Sequence, residues 1–147
     1  YHNLSVSVIH SSILQPLEDA AESMGKVCHV HLKVNVGLNR LGITPSKIFK
    51  IAGEAVSKKY LRLEGLFAQP RDNISALDGF RKFKDIYEKL KSKNIAPRRL
   101  HFANSTCLLS HPQAVADGVR LGILLYGVSP PDQYRTNVNP LPLKPQA

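Results

Sequence analysis

Cysteine is scarce in this 147-residue chain, which has only Cys28 and Cys107. Two thiols are too few for a disulfide framework, and their spacing fits no zinc motif. No metal site is expected, and both are read as buried thiols of a protein in a reducing cytoplasm. No uninterrupted apolar run is long enough to span a membrane. The opening Tyr1-His2-Asn3 lacks the basic and apolar regions of a signal peptide, and there is no initiator Met, which suggests that an upstream part has been removed. No G-x-G-x-x-G turn follows any expected strand, which lowers the dinucleotide-binding option. Acidic residues are also few, 11 against 20 Lys and Arg, leaving a formal charge of +9. Much of that charge falls in one stretch, Arg81, Lys82, Lys84, Lys89, Lys91, Lys93, Arg98 and Arg99, interrupted by Asp85 and Glu88. No RNP, KH or zinc-finger pattern accompanies it, so a solvated outer helix face is preferred to a nucleic-acid patch.

What is present alternates between two periodicities. Residues 5–10 read as a strand, with Val6 and Val8 alternating against Ser5 and Ser7. Ser12 is placed to cap a helix whose stripe is Ile13, Leu17, Ala20, Ala21 and Met24, and Gly25 ends it. A second strand covers 27–34. Thr44-Pro45 then opens a helix with Ile48, Ile51, Ala52, Ala55 and Val56 inward. A third strand is expected over 61–68. Ser75 would cap a helix buried through Leu77, Phe80, Phe83, Ile86, Tyr87 and Leu90, with Asn94 as its stop. Strands four and five are expected over 99–103 and 118–120. Strand–helix alternation implies parallel βαβ units. A full (β/α)8 barrel takes about 250 residues, so the fold expected here is an incomplete barrel, roughly its last five βα units.

Polar residues gather on one side of these strands. Val30, Leu32 and Val34 alternate with His31, Lys33 and Asn35, and Leu100 and Phe102 with Arg99, His101 and Ala103. In a barrel the apolar set packs outward on helices, while the other set lines the mouth. Two loops are suited to an anion: Asn104-Ser105-Thr106, which can begin a helix, and Gly122-Ile123 after Arg120.

Four segments, Leu32 to Gly42, Glu64-Gly65-Leu66-Phe67, His101 to Ser105 and Val119 to Gly127, resemble the alanine racemase family in content, order and spacing. The resemblance implies a cytoplasmic homodimer that interconverts L- and D-alanine with pyridoxal phosphate, its barrel followed by a β-rich domain. On that pattern Arg120 meets the pyridine nitrogen of the cofactor. Ser105 and the backbone at Gly122 and Ile123 hold the phosphate. Arg40 lies by the phenolic oxygen and the substrate carboxylate. Lys33, at an often carbamylated position, orients that arginine, and His101 and Asn104 support the cofactor face. An arginine at the ring nitrogen stays charged at any working pH and does not protonate the ring.

Two positions depart from the pattern. Asn35-Val36-Gly37 stands where the family usually has Asp-Thr-Gly, and Ala68-Gln69 where it usually has Thr-His. Gln69 is expected to hydrogen-bond to Arg120 in place of that histidine. No segment matches the motif of the family's Schiff-base lysine, and its catalytic tyrosine belongs to the partner subunit's C-terminal domain. No catalytic residue is therefore expected within this chain, which alone should be inactive. Residues 1–128 are read as barrel and the Pro-rich 129–147 as a connection toward a β domain. The alternatives are a non-catalytic barrel that binds pyridoxal phosphate and a basic interaction protein.

Overall fold

The computed structural model describes residues 4–128, so the expected Pro-rich connection lies outside the described residues. Strands β1 (Val6–Val8), β2 (Cys28–Lys33), β3 (Leu61–Phe67), β4 (Arg99–Asn104) and β5 (Gly118–Arg120) form one sheet in sequential order. Every pairing is parallel. A doubly wound sheet reverses its strand order at a switch point. Sequential order instead describes part of a barrel wall. No helix among the described residues is long and apolar enough to cross a membrane.

Helices α1 (Leu14–Ser23), α2 (Pro45–Ser57) and α3 (Ala76–Lys91) connect the strands. Strand residues Val8, Val30, Leu32, Leu66, Leu100 and Phe102, with Val34 just after β2, are buried in one core with Leu14, Ile48, Ala52, Phe83 and Leu90 of these helices. Phe102 lies 5.4 Å from Phe80 and 5.9 Å from Phe83 between ring centroids, both on α3. Truncating such a residue to alanine costs about 4 kcal/mol, because the cavity persists.

Four helix details differ from the sequence expectation. The first helix is preceded by a 3-10 turn, Ser11–Ile13, capped by His10, whose Nδ1 accepts from Ser12 N. The buried stripe of α1 is Leu14, Glu18 and Ala21, while Ile13 and Met24 are exposed. A carboxylate explains the rotation: Glu18 accepts the backbone N–H groups of Lys59 (2.9 Å) and Tyr60 (3.0 Å) at the entrance to β3. These amides need acceptors, which a polar residue on the inward stripe provides. On α2, Val56 is exposed rather than inward. Ser75 stands at the N-cap of α3, but its side chain caps nothing. Asp72 caps instead, accepting Ser75 N at 2.7 Å and Ser75 Oγ at 2.8 Å. Those two donors and Arg71, with the Ser75 amide foremost, hold the Asp72 carboxyl down at about 2. Gly25 and Asn94 do end their helices, both with positive φ (60°).

The β2–β3 pairing contains a bulge. Val30 faces Leu63 but His31 faces Gly65, so Glu64 is the extra residue. The sequence carries a trace of it: the apolar positions Leu61 and Leu63 are followed by Leu66, three residues on, a break in the period of two.

Candidate functional site

The inner face of the sheet carries the polar set. Lys33 and Arg120 lie on the same side, both against the ring of Phe67: Lys33 Nζ is 5.9 Å and Arg120 Cζ 5.1 Å from its centroid. His101 stacks on that ring at 4.8 Å with an interplanar angle of 7°. Phe67 thus forms the floor of the site, a role sequence reasoning did not assign although the residue sits in a recognised segment.

Arg120, from the short β5, is held by acceptors behind it. One terminal nitrogen, Nη1, donates to His101 Nδ1 (2.8 Å) and to His101 O (2.9 Å). The other, Nη2, donates to Ala68 O (2.6 Å) and Phe102 O (3.1 Å). All these partners are neutral, so the charge is fixed in place but not cancelled. Burial lowers the pKa of Arg120, but a guanidinium stays charged at any working pH. The expected hydrogen bond from Gln69 is replaced by these contacts. Gln69 lines a hollow with Arg120, while the backbone of Ala68 and the ring of His101 do the buttressing.

Burial first, then the Arg120 guanidinium and the neighbouring His31 ring, push the His101 imidazole down to about 4. A neutral ring is required at neutral pH, since Nδ1 must accept from the guanidinium. The other nitrogen, Nε2, lies 2.8 Å from His31 Nδ1. His31 Nε2 lies 3.3 Å from Glu64 Oε2. Glu64, from the bulge, also accepts Ser5 Oγ at 2.6 Å and pairs with Arg99 at 3.3 Å. Ser5 above all, then His31 and Arg99, hold its carboxyl below the usual range. Glu64 was also given no role in the sequence reading.

Beside Arg120 a hollow of about 290 Å³ is lined by Gln69, Asn104, Ser105, Thr106, Leu121, Gly122 and Ile123. Ser105 and Gly122 meet at this hollow, where Gly122 N donates to Ser105 Oγ at 2.9 Å. The hydroxyl proton of Ser105 remains free to be donated elsewhere. Asn104 caps the short helix α4 (Ser105–Ser110), its Oδ1 accepting Cys107 N at 2.9 Å. Ile123 begins a 3-10 turn at the rim, ended by Gly127 with φ 71°.

Lys33 is 8% exposed. Its ammonium pKa is lowered by burial first, then by Arg40 and Arg120. Arg40 itself is exposed, on the loop over 35–43. That loop is closed by Asn35, whose Oδ1 accepts Gly37 N and Asn39 N, each at 3.1 Å. Asn35 therefore does with an amide oxygen what a carboxylate would do there. Gly42 is needed at the loop's exit: its φ is 129°, and an added Cβ would lie 3.1 Å from Lys33 O. The basic residues of α3, such as Arg81, Lys82 and Lys89, are exposed on the outer side of the helix.

Residues 1–130 match the family model described as alanine racemase, N-terminal domain. The chain is 32% identical over 133 residues to alanine racemase 2 of Clostridium acetobutylicum, covering 86% of this chain and 33% of that protein. It is 35% identical over 114 residues to the alanine racemase of Sorangium cellulosum, covering 74% of this chain and 30% of that protein. The chain thus spans about a third of the length of these curated relatives. Among solved structures it resembles alanine racemase of Clostridium difficile 630, with TM-score 0.87 and 25% identity over 97% of this chain and 38% of that one. It also resembles alanine racemase of Streptomyces lavendulae, with TM-score 0.81 and 27% identity over 90% of this chain and 37% of that one. The fold is therefore an α/β partial barrel, and this chain belongs to the alanine racemase N-terminal domain family.

Proposed function

We propose that the protein to which this chain belongs is a pyridoxal-phosphate-dependent alanine racemase, and that the chain carries the phosphate-binding and ring-nitrogen-binding side of its site. The observation that carries this reading is Arg120. Its guanidinium is pinned by neutral acceptors, has no carboxylate partner among the described residues, and borders a hollow with the Ser105 hydroxyl and the backbone at Ile123. A fixed, uncompensated cation beside such donors suits an anionic, planar ligand.

Bound there, pyridoxal phosphate supplies an electron sink that acidifies the α-hydrogen of an amino acid. The residues divide the rest of the work. The Ser105 hydroxyl and the Ile123 amide hold the phosphate, and the Gly122 amide, donating to Ser105 Oγ, orients that hydroxyl. Arg120 keeps its proton and donates a hydrogen bond to the ring nitrogen without protonating it. His101 supports that arginine, Asn104 caps the helix that presents Ser105, and Gln69 closes the hollow beside them. Arg40, on its closed loop, takes the substrate carboxylate. Lys33, whose pKa burial lowers, reaches its free-amine form more readily; that form adds to carbon dioxide with loss of a proton, and the resulting anion steadies Arg40. The cofactor-attaching lysine and the opposing tyrosine are assigned to segments outside this chain, and the working form to a cytoplasmic homodimer. The free thiols Cys28 and Cys107 agree with a reducing compartment.

Spectrophotometric titration with pyridoxal phosphate tests the reading. The chain should bind the cofactor reversibly, in competition with inorganic phosphate. Ser105→Ala and Arg120→Ala should each weaken binding about tenfold, the loss of one charge-assisted hydrogen bond. The chain alone should form no D-alanine from L-alanine. Cofactor binding that ignores both substitutions would refute this site.

A further inference from the structure

Four side chains form one line across the inner face, from β5 through β4 and β2 to the bulge in β3. Arg120 Nη1 meets His101 Nδ1 at 2.8 Å, His101 Nε2 meets His31 Nδ1 at 2.8 Å, and His31 Nε2 meets Glu64 Oε2 at 3.3 Å. The two ends have opposite and fixed character. A guanidinium can only donate, and an ionised carboxylate can only accept. With both ends fixed, the rings between them have one consistent arrangement. His101 accepts at Nδ1 and donates from Nε2, and His31 does the same. Every hydrogen bond in the line then runs toward Glu64.

The backbone is shaped to make this line. The β2–β3 register slips at Val30/His31, which leaves Glu64 as the extra residue. Bulges re-aim side chains in this way. At Gly65 an added Cβ would fall on the His31 ring, so the imidazole occupies space that only glycine leaves open. Around Glu64 the other polar groups are Ser5, Arg99 and His29, whose Nδ1 is 3.6 Å from the carboxylate. Each of these is a donor to Glu64 or able to become one, so none competes for the acceptor role.

We propose that Glu64 and His31 are positioning residues for Arg120, acting through His101: the acceptor-only carboxylate in the bulge polarises the line so that His101 always turns a lone pair to the guanidinium. The proposal rests on Arg120 facing the cofactor ring for its use in catalysis, but the line itself is a property of this chain. Without the carboxylate, an amide at position 64 can donate to His31 Nε2 as well as accept. The reversed ring would then present Nδ1–H to His101, and two orientations would compete at the support of Arg120.

The test uses the 147-residue chain, isotope-labelled, with and without pyridoxal phosphate. Long-range proton–nitrogen spectra at pH 7 should show His31 and His101 both neutral with the proton on Nε2. Glu64→Gln should give mixed tautomers at His31. Glu64→Gln and His31→Leu should speed exchange of the Arg120 guanidinium protons about tenfold, as expected for loss of one buried partner. Gly65→Ala, which alters no titratable group, should do the same by displacing the His31 ring. A merely structural role would change stability without moving tautomer populations. A proton on His101 Nδ1 in the unsubstituted chain, or unchanged Arg120 exchange in the folded variants, would overturn the proposal. Failure of pyridoxal phosphate to bind the unsubstituted chain counts instead against the cofactor reading, because tautomers and exchange are measured without it. If the cofactor binds, Glu64→Gln should weaken it several-fold while Ser105→Ala leaves the tautomers unchanged.

Discussion

Arg120 Nη1 donates to His101 Nδ1 at 2.8 Å, so the guanidinium is supported by a ring that must stay neutral to serve it. The ring's folded pKa is about 4, against an ordinary value of 6.5. Between those values the unfolded chain binds the proton and the folded chain does not. Stability therefore rises with pH across this window and is lost as pH falls from about 6.5 toward 4. Discounted for the partial exposure of the ring, the effect is about 2 kcal/mol. Urea midpoints measured from pH 4 to 7 should follow that course, and His101→Gln should flatten it. A flat profile in the unsubstituted chain would show that the ring titrates normally.

Burial lowers the Lys33 pKa, and the guanidinium groups of Arg40 and Arg120 lower it further. An uncharged amine adds to carbon dioxide, releasing one proton and leaving a carbamate anion, which Arg40 and Arg120 would favour. With 13C-labelled bicarbonate, one carbamate signal is expected that disappears in Lys33→Ala. A signal that survives the substitution would assign the modification to another amine.

Glu18 is the acidic residue on the buried stripe of α1, and it receives two backbone amides of the turn before β3. Glu18→Ala leaves both donors without an acceptor and should cost about 2 kcal/mol. Glu18→Gln keeps an oxygen in reach and should cost less. Equal losses in urea denaturation would mean that shape, rather than the two hydrogen bonds, is what Glu18 contributes.

The outer strands β1 and β5 each pair on one side only among the described residues. Unpaired parallel edges invite association with another chain. The isolated chain is expected to dimerise edge to edge, or to unfold at low urea with an exposed apolar surface. Size-exclusion chromatography over a concentration series would detect the first, and a cooperative, compact monomer would contradict both.

Much of this was legible in the sequence. Val30, Leu32 and Val34 alternating with His31 and Lys33 determined which face of β2 is dry, since a strand can turn alternate residues only to opposite sides. Thr44-Pro45, Gly25 and Asn94 marked helix limits through backbone preferences that act locally. The segments around Lys33, Arg40, Ser105 and Arg120 named the family by themselves. Other features depended on residues distant in the chain. Glu18 is inward because amides 41 and 42 residues later need an acceptor. Gln69 is not Arg120's partner, because the Ala68 carbonyl and His101 reach the guanidinium first. The line from Glu64 to Arg120 needed the sheet, since its direction is set by a carboxylate and a guanidinium 56 positions apart, each fixed in its role only when the strands between them are assembled.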